Sequence, residues 1–391
     1  MGMFPEDAII PVYKLASLWT AEGFVLDIES AEDYLMDLIH SNVVMVLKRE
    51  YNEKVKYCQV HDVVLHFCLE KSRKENFMLA VKGHGCQFQS LDWKGSRVSF
   101  SFSEELSKFA SLVSKTRKPF HQHLRSLITT NQRDSIGVIP VCQINELRLL
   151  KVLDLSSYYV ESLWLARLNP LNQLKYLAVW AGTFYFDPQS HLPHIETLIV
   201  TSCFYDVLLP VSFWEMEKLR HVHFAGAGFD KQGLFEGSSK LENLRILKEI
   251  EEFPIDWLDV LSRRCPNLQQ LQITFEDDEE PFCPKLESLT QLQELQLSFV
   301  HPRILSGLQL PSNLNKLVLK GIHIESAISF IAELPSLEYL QLLDVCFPQS
   351  EEWCLGDITF HKLKSLKLVQ LNISKWDASE ESFPLLETLL C

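Results

Sequence analysis

Apolar residues recur along the last two-thirds of the chain in the pattern Leu-x-x-Leu-x-apolar. The first apolar position of this pattern falls at Leu124, Leu150, Leu174, Ile195, Leu219, Leu244, Leu268, Leu292, Leu314, Leu337, Leu363 and Leu386. These twelve positions span 262 residues over eleven intervals, and a spacing of about 24 residues lies within the period of leucine-rich repeats. Because a strand alternates its faces, the fixed apolar residues should point into a solenoid while the x residues face solvent on its concave side. The period predicts an irregular leucine-rich-repeat solenoid of about twelve repeats.

The repeats vary in length and in one core position. Their spacing ranges from 21 to 26 residues, and Glu249 stands where the third apolar residue of its repeat is expected. Extracellular plant repeats usually have an asparagine ladder three residues after the last apolar position. Here those positions are occupied by Cys203, Val300, Ile322, Val345 and Leu371. Their apolar character favours an intracellular type of repeat.

The segment before the repeats has a different pattern of apolar residues. It predicts, in order, a helix over residues 10–23, a helix capped by Ser30, strands over residues 43–50 and 54–60, and a helix from His61 to about Asn76. Two helices, a hairpin and a third helix are typical of a winged-helix unit. We therefore predict an α/β multidomain protein with a winged-helix domain over residues 1–85, a connecting segment over 86–120 and a leucine-rich-repeat domain over 121–391.

The charge distribution argues against nucleic-acid binding. The chain has a formal net charge of −14, and residues 1–85 contain nine basic against thirteen acidic residues. Binding to the phosphate backbone requires concentrated Lys and Arg. A protein-interaction role is therefore the better prediction for the winged helix, and no nucleic-acid partner is expected.

Candidate chemistry for catalysis or metal binding is missing from the sequence. The ten cysteines form no C-x-x-C pair, and there is no H-E-x-x-H, no G-x-S-x-G and no Ca²⁺-binding loop motif. The acidic run from Glu276 to Glu280 has no turning glycine and is expected to be a solvated loop. We predict that the protein is not an enzyme and binds no metal.

Targeting signals are also missing. Glu6 and Asp7 stand where a secretory signal would carry positive charge, and no apolar run approaches the roughly 18 residues needed to cross a bilayer. The free cysteines suit a reducing compartment. We expect a cytoplasmic protein without a transmembrane segment, and peripheral association with membranes stays open.

Several segments together resemble one protein family. The opening MFPEDAIIPVYKLASLWTAEGFV, the segment VHDVVLHFCLEKSRKENF and the first repeats LRSL and LLKVLDLSS carry the resemblance. They are similar to the plant intracellular immune receptors with a nucleotide-binding (NB-ARC) module and leucine-rich repeats, and most closely to late-blight resistance homologues of nightshade plants. The resemblance implies a role in disease resistance, innate immunity and the hypersensitive response.

The resemblance assigns a nucleotide-sensing role to His61, with Asp62 as its neighbour. In these receptors a Met-His-Asp motif contacts the phosphate of ADP, and Val60 replaces the methionine here. The alternative is that His61 is a partly buried polar residue at the helix start and that Asp62 only serves the first helical turn. The chain has no G-x-x-x-x-G-K-[ST] phosphate loop. We therefore expect a part of a receptor without the nucleotide-binding core and without a cofactor of its own, although the complete receptor would use ADP or ATP.

Two candidate surfaces follow from the repeats and the resemblance. Residues 86–180 carry a net charge of +5, and the family uses its first repeats to restrain the nucleotide-binding module. The candidate intramolecular docking residues are Arg125, Arg148, Lys151 and Lys175. Large apolar residues at x positions are candidates for recognition of a pathogen effector or a guarded host protein. These are Trp180, Phe275, Phe299 and Tyr339.

One alternative function belongs to a different class of protein. The segment LSRRCPNLQQLQITF also resembles the repeats of F-box proteins, which are substrate adaptors of ubiquitin ligases. An F-box needs a helical N-terminal module, whereas the first 80 residues predict a β-hairpin. The β-hairpin and the motif at His61 favour the resistance protein.

Overall fold

The computed structural model describes residues 1–81, 95–101, 123–130, 144, 146–186, 192–202, 207–209, 211–229, 239–253, 258–275, 285–305, 308–346, 352–371 and 375–390. The chain divides into two compact units, Met1–Val207 and Leu208–Cys391. The first unit contains the N-terminal segment and the first repeats. The second unit contains the remaining repeats.

The N-terminal segment combines a small antiparallel sheet with three helices. Its elements are β1 (Ile10–Pro11), α1 (Val12–Glu22), α2 (Ile28–His40), β2 (Val44–Arg49), β3 (Val55–Val60) and α3 (Asp62–Lys74). The strand order is β1-β3-β2, and β2 and β3 form the predicted hairpin. One buried apolar cluster joins the helices to the sheet, and its members include Leu15, Leu35, Val44, Cys58 and Leu65. The predicted winged-helix fold is confirmed.

Gly23 and Asp27 set the ends of the first two helices. Gly23 has φ 83° and its N–H points to the carbonyls of Trp19 and Thr20, so it ends α1 as the sequence predicts. The predicted cap at Ser30 is wrong. The Asp27 carboxylate accepts from the Ser30 N–H at 2.8 Å and from its hydroxyl at 2.6 Å, so α2 already begins at Ile28.

The repeats of the first unit contribute parallel strands that pair in chain order. They are β4 (Leu79–Val81), β5 (Arg97–Phe100), β6 (Ser126–Thr129), β7 (Val152–Trp164), β8 (Tyr176–Tyr185) and β9 (Thr197–Ser202). The ladder thus starts earlier than the predicted repeat domain at residue 121, and β5 lies inside the predicted connecting segment. The sequence pattern missed both early strands because neither contains Leu-x-x-Leu.

The second unit continues the same architecture. Its strands and helices are β10 (Val207–Leu209, at the boundary between the units), β11 (His221–Phe229), β12 (Ile246–Phe253), α4 (Leu258–Arg264), β13 (Gln270–Phe275), β14 (Glu294–Ile304), β15 (Lys316–His323), α5 (Ile328–Ala332), β16 (Tyr339–Leu343), β17 (Glu352–Cys354), β18 (Ser365–Val369), β19 (Lys375–Asp377) and β20 (Thr388–Leu390). Strands β11 to β16, β18 and β20 form a parallel ladder, and β17 pairs with β19. Short 3₁₀ helices lie at Leu165–Leu168, Val211–Glu215, Ile324–Ser326 and Glu380–Ser382.

The leucines that define the repeat period form the interior of the ladder. Eleven of the twelve first apolar positions are buried, and Leu386 is half-buried. Burial alternates along the strands, as in β13, where Leu271 and Ile273 are buried and Gln270 and Gln272 are half-buried. The predicted leucine-rich-repeat solenoid is confirmed.

A β-bulge removes Glu249 from the core. The register of β12 shifts between Leu247 and Ile250, so that Ile250 aligns with Ile273 and is fully buried. Glu249 has φ 58° and accepts a hydrogen bond from His223 Nε2 at 2.6 Å, which lowers the pKa of its carboxyl. The expectation that Glu249 takes the third apolar position is therefore corrected. Ile250 takes it.

His221, at the start of β11, gives the second unit a pH-dependent stability. Burial lowers its pKa to about 3, with smaller effects from Lys248 and His223. The unfolded chain, with a histidine pKa of about 6.5, binds a proton below that pH that the folded chain does not. We expect the free energy of unfolding to fall as the pH decreases from about 6.5 to about 5, by up to about 1.4 kcal/mol per pH unit from this group.

Denaturant unfolding across that pH range, followed in the wild type and in His221→Gln, measures the contribution. The variant should show a shallower dependence on pH. His361→Gln is the matched control, because His361 is an exposed histidine of the same unit. Equal slopes for wild type and His221→Gln would show that His221 does not carry the effect.

Candidate interaction surfaces

Helix α1 presents two stripes of side chains to two different cores. Leu15 packs in the winged-helix cluster, whereas Leu18 and Ala21 belong to a cluster formed with the repeats. Lys14 and Glu22 lie four residues before and after Leu18, so they share its face of the helix. The second stripe therefore combines two apolar residues with one charge of each sign.

This stripe packs on the side of the strands that faces away from the leucine core. We call that side the open face, and we call its contact with α1 the seat of α1. In β6 to β9 its apolar members are Ile128, Val152, Tyr176, Ala178 and Ile199. They form one buried cluster with Leu18 and Ala21, and Met3 and Phe4 pack against it. Side chains at x positions would meet water in a bare repeat. The winged helix explains why these are apolar.

A buried ion pair joins α1 to β7. The Lys14 ammonium lies 2.6 Å from Asp154 Oδ2, and the side chain of Asp154 is fully buried while that of Lys14 is 18% exposed. The other carboxylate oxygen accepts from the Ser156 N–H at 3.0 Å and from its hydroxyl at 2.6 Å. One oxygen of the buried carboxylate is therefore hydrogen-bonded and the other is ion-paired, which offsets its removal from water.

A second buried ion pair joins the end of α1 to β5. Arg97 Nη2 donates to Glu22 Oε2 at 2.9 Å, and the exposed fractions of the two side chains are 10% and 7%. The guanidinium lies over the rings of Phe24 and Phe77, at 5.0 and 4.3 Å from their centroids. The Ser126 hydroxyl donates to the other oxygen of Glu22. Strands β5, β6 and β7 are thus all tied to one helix.

The structure places His61 at the N-cap of α3. Its Nδ1 accepts from the Val63 N–H at 3.4 Å, so in the neutral ring the proton is on Nε2. Asp62 lies in the first turn of α3, where a carboxylate is favoured by the helix dipole. Both side chains are exposed. The alternative of a partly buried His61 is therefore corrected.

Three of the four predicted docking residues form one row at the entrances of consecutive strands. The Lys151 N–H donates to the Arg125 carbonyl at 2.7 Å, and the Lys175 N–H donates to the Lys151 carbonyl at 2.8 Å. Arg148 lies nearby in sequence, before β7, and Glu196 forms an ion pair with Lys175 at 2.6 Å. Among the described residues, Arg125, Arg148 and Lys151 form no ion pair. We call Arg125, Arg148, Lys151 and Lys175 together the basic row, and none of them takes part in the ion pairs that hold α1.

Trp180 and Tyr339 occupy the open face as predicted, and both are half-buried. The Trp180 ring meets the ring of Tyr159 edge to face, with centroids 5.5 Å apart. The Tyr339 hydroxyl donates to Gln341 Oε1 at 2.8 Å. Their role in recognition stays a prediction.

Phe275 and Phe299 are buried, so the expectation that they face solvent is wrong. Each follows the last apolar residue of its repeat by two positions, and the alternation of a strand carries a residue at that distance back to the inner face. Their rings stack with centroids 5.0 Å apart, and Phe253 extends the row at 6.3 Å from Phe275. These rings contribute to the core.

The sequence interpretation missed the seat of α1, although the sequence contains two signals of this contact. Lys14 and Glu22 are the charged residues of an otherwise uncharged helix, at a spacing that puts them on one face. Asp154 lies at an x position among apolar x residues such as Val152. To interpret either signal, one has to know that α1 packs against β7, and a single sequence does not show which distant segments are in contact.

Metal clusters and membrane-spanning helices are absent from the described residues. No group of three or more potential metal ligands occurs among them, and the acidic run Glu276–Glu280 lies outside the described ranges. None of the described helices is long and apolar enough to cross a bilayer.

Comparison with known protein families shows to which family the chain belongs. Residues 123–390 match the model of a leucine-rich repeat region, and residues 3–68 match that of the winged helix domain of disease resistance proteins. The chain belongs to the leucine-rich-repeat disease-resistance proteins. The winged-helix match at its N-terminus is inconsistent with the F-box alternative.

Three relatives among the disease-resistance proteins come from Solanum demissum. The late blight resistance protein R1-A is 30% identical over 421 residues, which cover 100% of this chain and 32% of the relative. The putative homolog R1B-23 is 31% identical with 32% of its length covered, and R1B-12 is 29% identical with 30% covered; both alignments span all of this chain. The chain therefore spans about a third of the length of these relatives.

A bacterial repeat protein of known structure is similar at lower identity. The leucine-rich-repeat protein LIC12759 of Leptospira interrogans covers 80% of this chain and 94% of its own, at 15% identity and a TM-score of 0.39.

The residues of this disease-resistance chain do not fit a nucleotide by themselves. His61 supplies one donor, whereas a phosphate cradle needs converging backbone N–H groups and a lysine. The sequence has no G-x-x-x-x-G-K-[ST] to provide them. The expected lack of a cofactor stays a prediction.

Proposed function

We propose that this chain acts in plant defence as the winged-helix and repeat part of an intracellular immune receptor. The repeats recognise a pathogen effector or a guarded host protein, and the first unit holds the winged helix in a resting position. The chain has no catalytic activity in this proposal and works in the cytoplasm.

The observation that carries the proposal is the seat of α1 on the open face of the first repeats. Two buried ion pairs, Lys14 with Asp154 and Glu22 with Arg97, fix one position of the winged helix. A ligand that pulls on the repeats would have to move a helix that is also part of the winged-helix core. This shared helix supports a mechanical link between recognition and the state of the receptor.

The proposal gives the nucleotide-binding module two contact areas on this chain. One is the surface of α3 around His61, where Val63 and Phe67 are apolar but 72% and 63% exposed. The other is the basic row, where Arg125, Arg148 and Lys151 are available for carboxylates. Such partly exposed pairs are screened over roughly 8 to 10 Å at physiological salt.

Charge reversal of the basic row tests the docking proposal. Arg125, Arg148, Lys151 and Lys175 are all replaced with Glu in the 391-residue chain, and binding to a nucleotide-binding module from a late blight resistance relative is measured by pull-down. We expect reduced binding, and wild-type binding that weakens as salt is raised. In a complete receptor that carries these repeats, the same change should raise effector-independent cell death.

The matched control reverses four lysines of the second unit, Lys240, Lys285, Lys362 and Lys375. It changes the net charge by the same amount and should leave binding unchanged. Equal binding of the wild type and the basic-row variant at low and high salt would contradict electrostatic docking and would leave the family assignment intact.

A further inference from the structure

The open face of β13, β14, β15, β16 and β18 forms a regular surface in the second unit. The first five residues of each strand are aligned in register with those of the next. Burial alternates along these strands, so the first, third and fifth residues form three rows on the open face. The inner positions are filled by the leucine core.

The charge of this face is opposite in sign to that of its surroundings. Residues 208–391 contain 28 acidic against 16 basic residues, a net charge of −12. The three rows contain three lysines, Lys316, Lys320 and Lys367, and one acidic residue, Glu294. The acidic residues of this unit are therefore concentrated elsewhere, and a positive face stands out from an acidic unit.

Two of the lysines remain available for a partner. Glu294 forms an ion pair with Lys316 at 2.9 Å and accepts from Gln270 at 3.2 Å, so its charge is used within the face. Among the described residues, Lys320 and Lys367 form no ion pair. Lys320 is exposed and Lys367 half-buried.

The spacing of these two lysines suits an extended chain. Lys320 aligns with Leu343 and then with Val369 of β18, which is two residues after Lys367. The two lysines thus stand two strands apart, about 10 Å across the ladder, and they are offset by two residues, about 7 Å, along the strands, which their long flexible side chains can reduce. A peptide in the extended polyproline II conformation covers about 9 Å in three residues and repeats the direction of its side chains every three residues. Carboxylates at every third position of such a peptide could each meet one ammonium.

The middle row supplies hydrogen bonds that an extended backbone can use. Gln272, Gln296 and Gln341 occupy this row, with Val318 between the last two. A side-chain amide both donates and accepts, so it can satisfy either group of a peptide backbone. Tyr339 adds an aromatic ring beside the row.

We propose that the open face of β13, β14, β15, β16 and β18 binds an extended acidic segment of a partner protein. The partner's carboxylates pair with Lys320 and Lys367, and its backbone lies along the glutamines. The inference rests on the proposed recognition function and names the chemistry of the ligand. Nucleic acid fits this face poorly, because binding to a phosphate backbone requires concentrated Lys and Arg, and two lysines in a unit of net charge −12 do not provide them.

Fluorescence anisotropy with the full 391-residue chain tests the proposal. The probe is a labelled peptide of about twelve residues with glutamate at every third position and glycine elsewhere, matched to the strand spacing. We expect binding at low salt that weakens at high salt, and no binding of the peptides with glutamine or lysine in place of glutamate. The double variant Lys320→Gln/Lys367→Gln should bind the probe about tenfold more weakly.

The control Lys285→Gln/Lys375→Gln removes the same charge from outside the open face and should stay within about twofold of the wild type. The proposal is overturned if the glutamate peptide does not bind at low salt, or if both double variants weaken it equally. It is also overturned if a single-stranded oligonucleotide binds as tightly with the same dependence on Lys320 and Lys367. If the peptide does not bind but the basic-row variant still binds the nucleotide-binding module more weakly than the wild type, this inference alone is rejected. If the peptide binds as expected but the basic-row variant binds the module as well as the wild type does, the docking proposal alone is rejected.

Discussion

Replacing Lys14 with methionine is expected to lower the stability of the seat of α1 by about 3 to 5 kcal/mol. The substitution keeps most of the side-chain volume but leaves the Asp154 carboxylate buried without its counter-charge. Hydrogen exchange followed by mass spectrometry over α1 and β7 measures the effect, because it reports local opening rather than global unfolding. Exchange should accelerate in both elements.

Two controls separate the buried charge from other effects. The double variant Lys14→Met/Asp154→Asn removes both charges, and Ser156 can still bond the amide oxygen, so most of the protection should return. Lys71→Met breaks the exposed pair with Glu75 on α3 and should cost about 0 to 1 kcal/mol. Similar exchange in Lys14→Met and Lys71→Met would mean that the buried pair does not hold α1 in place.

Gly321→Ala is expected to destabilise the second unit by more than about 3 kcal/mol, since strain and overlap act together. Gly321 lies in β15 with φ 69°, and an added Cβ would overlap the backbone carbonyl oxygen of Phe299 on β14. The two strands would have to separate, and the buried ring of Phe299 would move with its backbone. Thermal unfolding, together with hydrogen exchange in β14 and β15, would record the loss.

Gly356→Ala is the control for backbone strain alone. Gly356 has φ 57°, but nothing lies near the position of its Cβ. Its substitution should cost only about 1 to 2 kcal/mol, the usual penalty for a left-handed conformation. Equal losses in the two variants would mean that the close approach between β14 and β15 relaxes without cost.

Local signals were sufficient to predict both folds. The leucine period depends only on residues within one repeat, and Gly23 ends α1 through bonds to residues three and four positions before it. The sequence could not choose between Asp27 and Ser30 as the cap of α2, because both residue types are good caps and only the geometry decides. The bulge at Glu249 is similar, since one extra residue can be absorbed at several places in a strand.

The interaction surfaces were less predictable because they depend on pairing between distant segments. Trp180 and Phe275 are both aromatic residues near the end of a repeat motif, yet one faces outward and the other inward. Trp180 lies an odd number of residues after the last fixed leucine of its repeat, whereas Phe275 lies an even number after its own, and side chains alternate along a strand. This rule applies only if the strand extends as far as the aromatic residue. A single sequence does not show that Lys14 and Asp154 form an ion pair.

The shared helix also affects how the chain is made. Lys14 and Ser156, which meet at the seat of α1, are 142 positions apart in sequence. At a synthesis rate of about 5 to 20 residues per second, roughly 7 to 30 s pass between the appearance of the helix and that of its seat. Leu18 and Ala21 are fully covered only after the last strand of their cluster, β9 with Ile199, has been made, so the nascent winged helix offers an apolar stripe that chaperones can bind. Codon changes that slow translation between α1 and β9 should lengthen this exposure without altering a single residue of the finished protein.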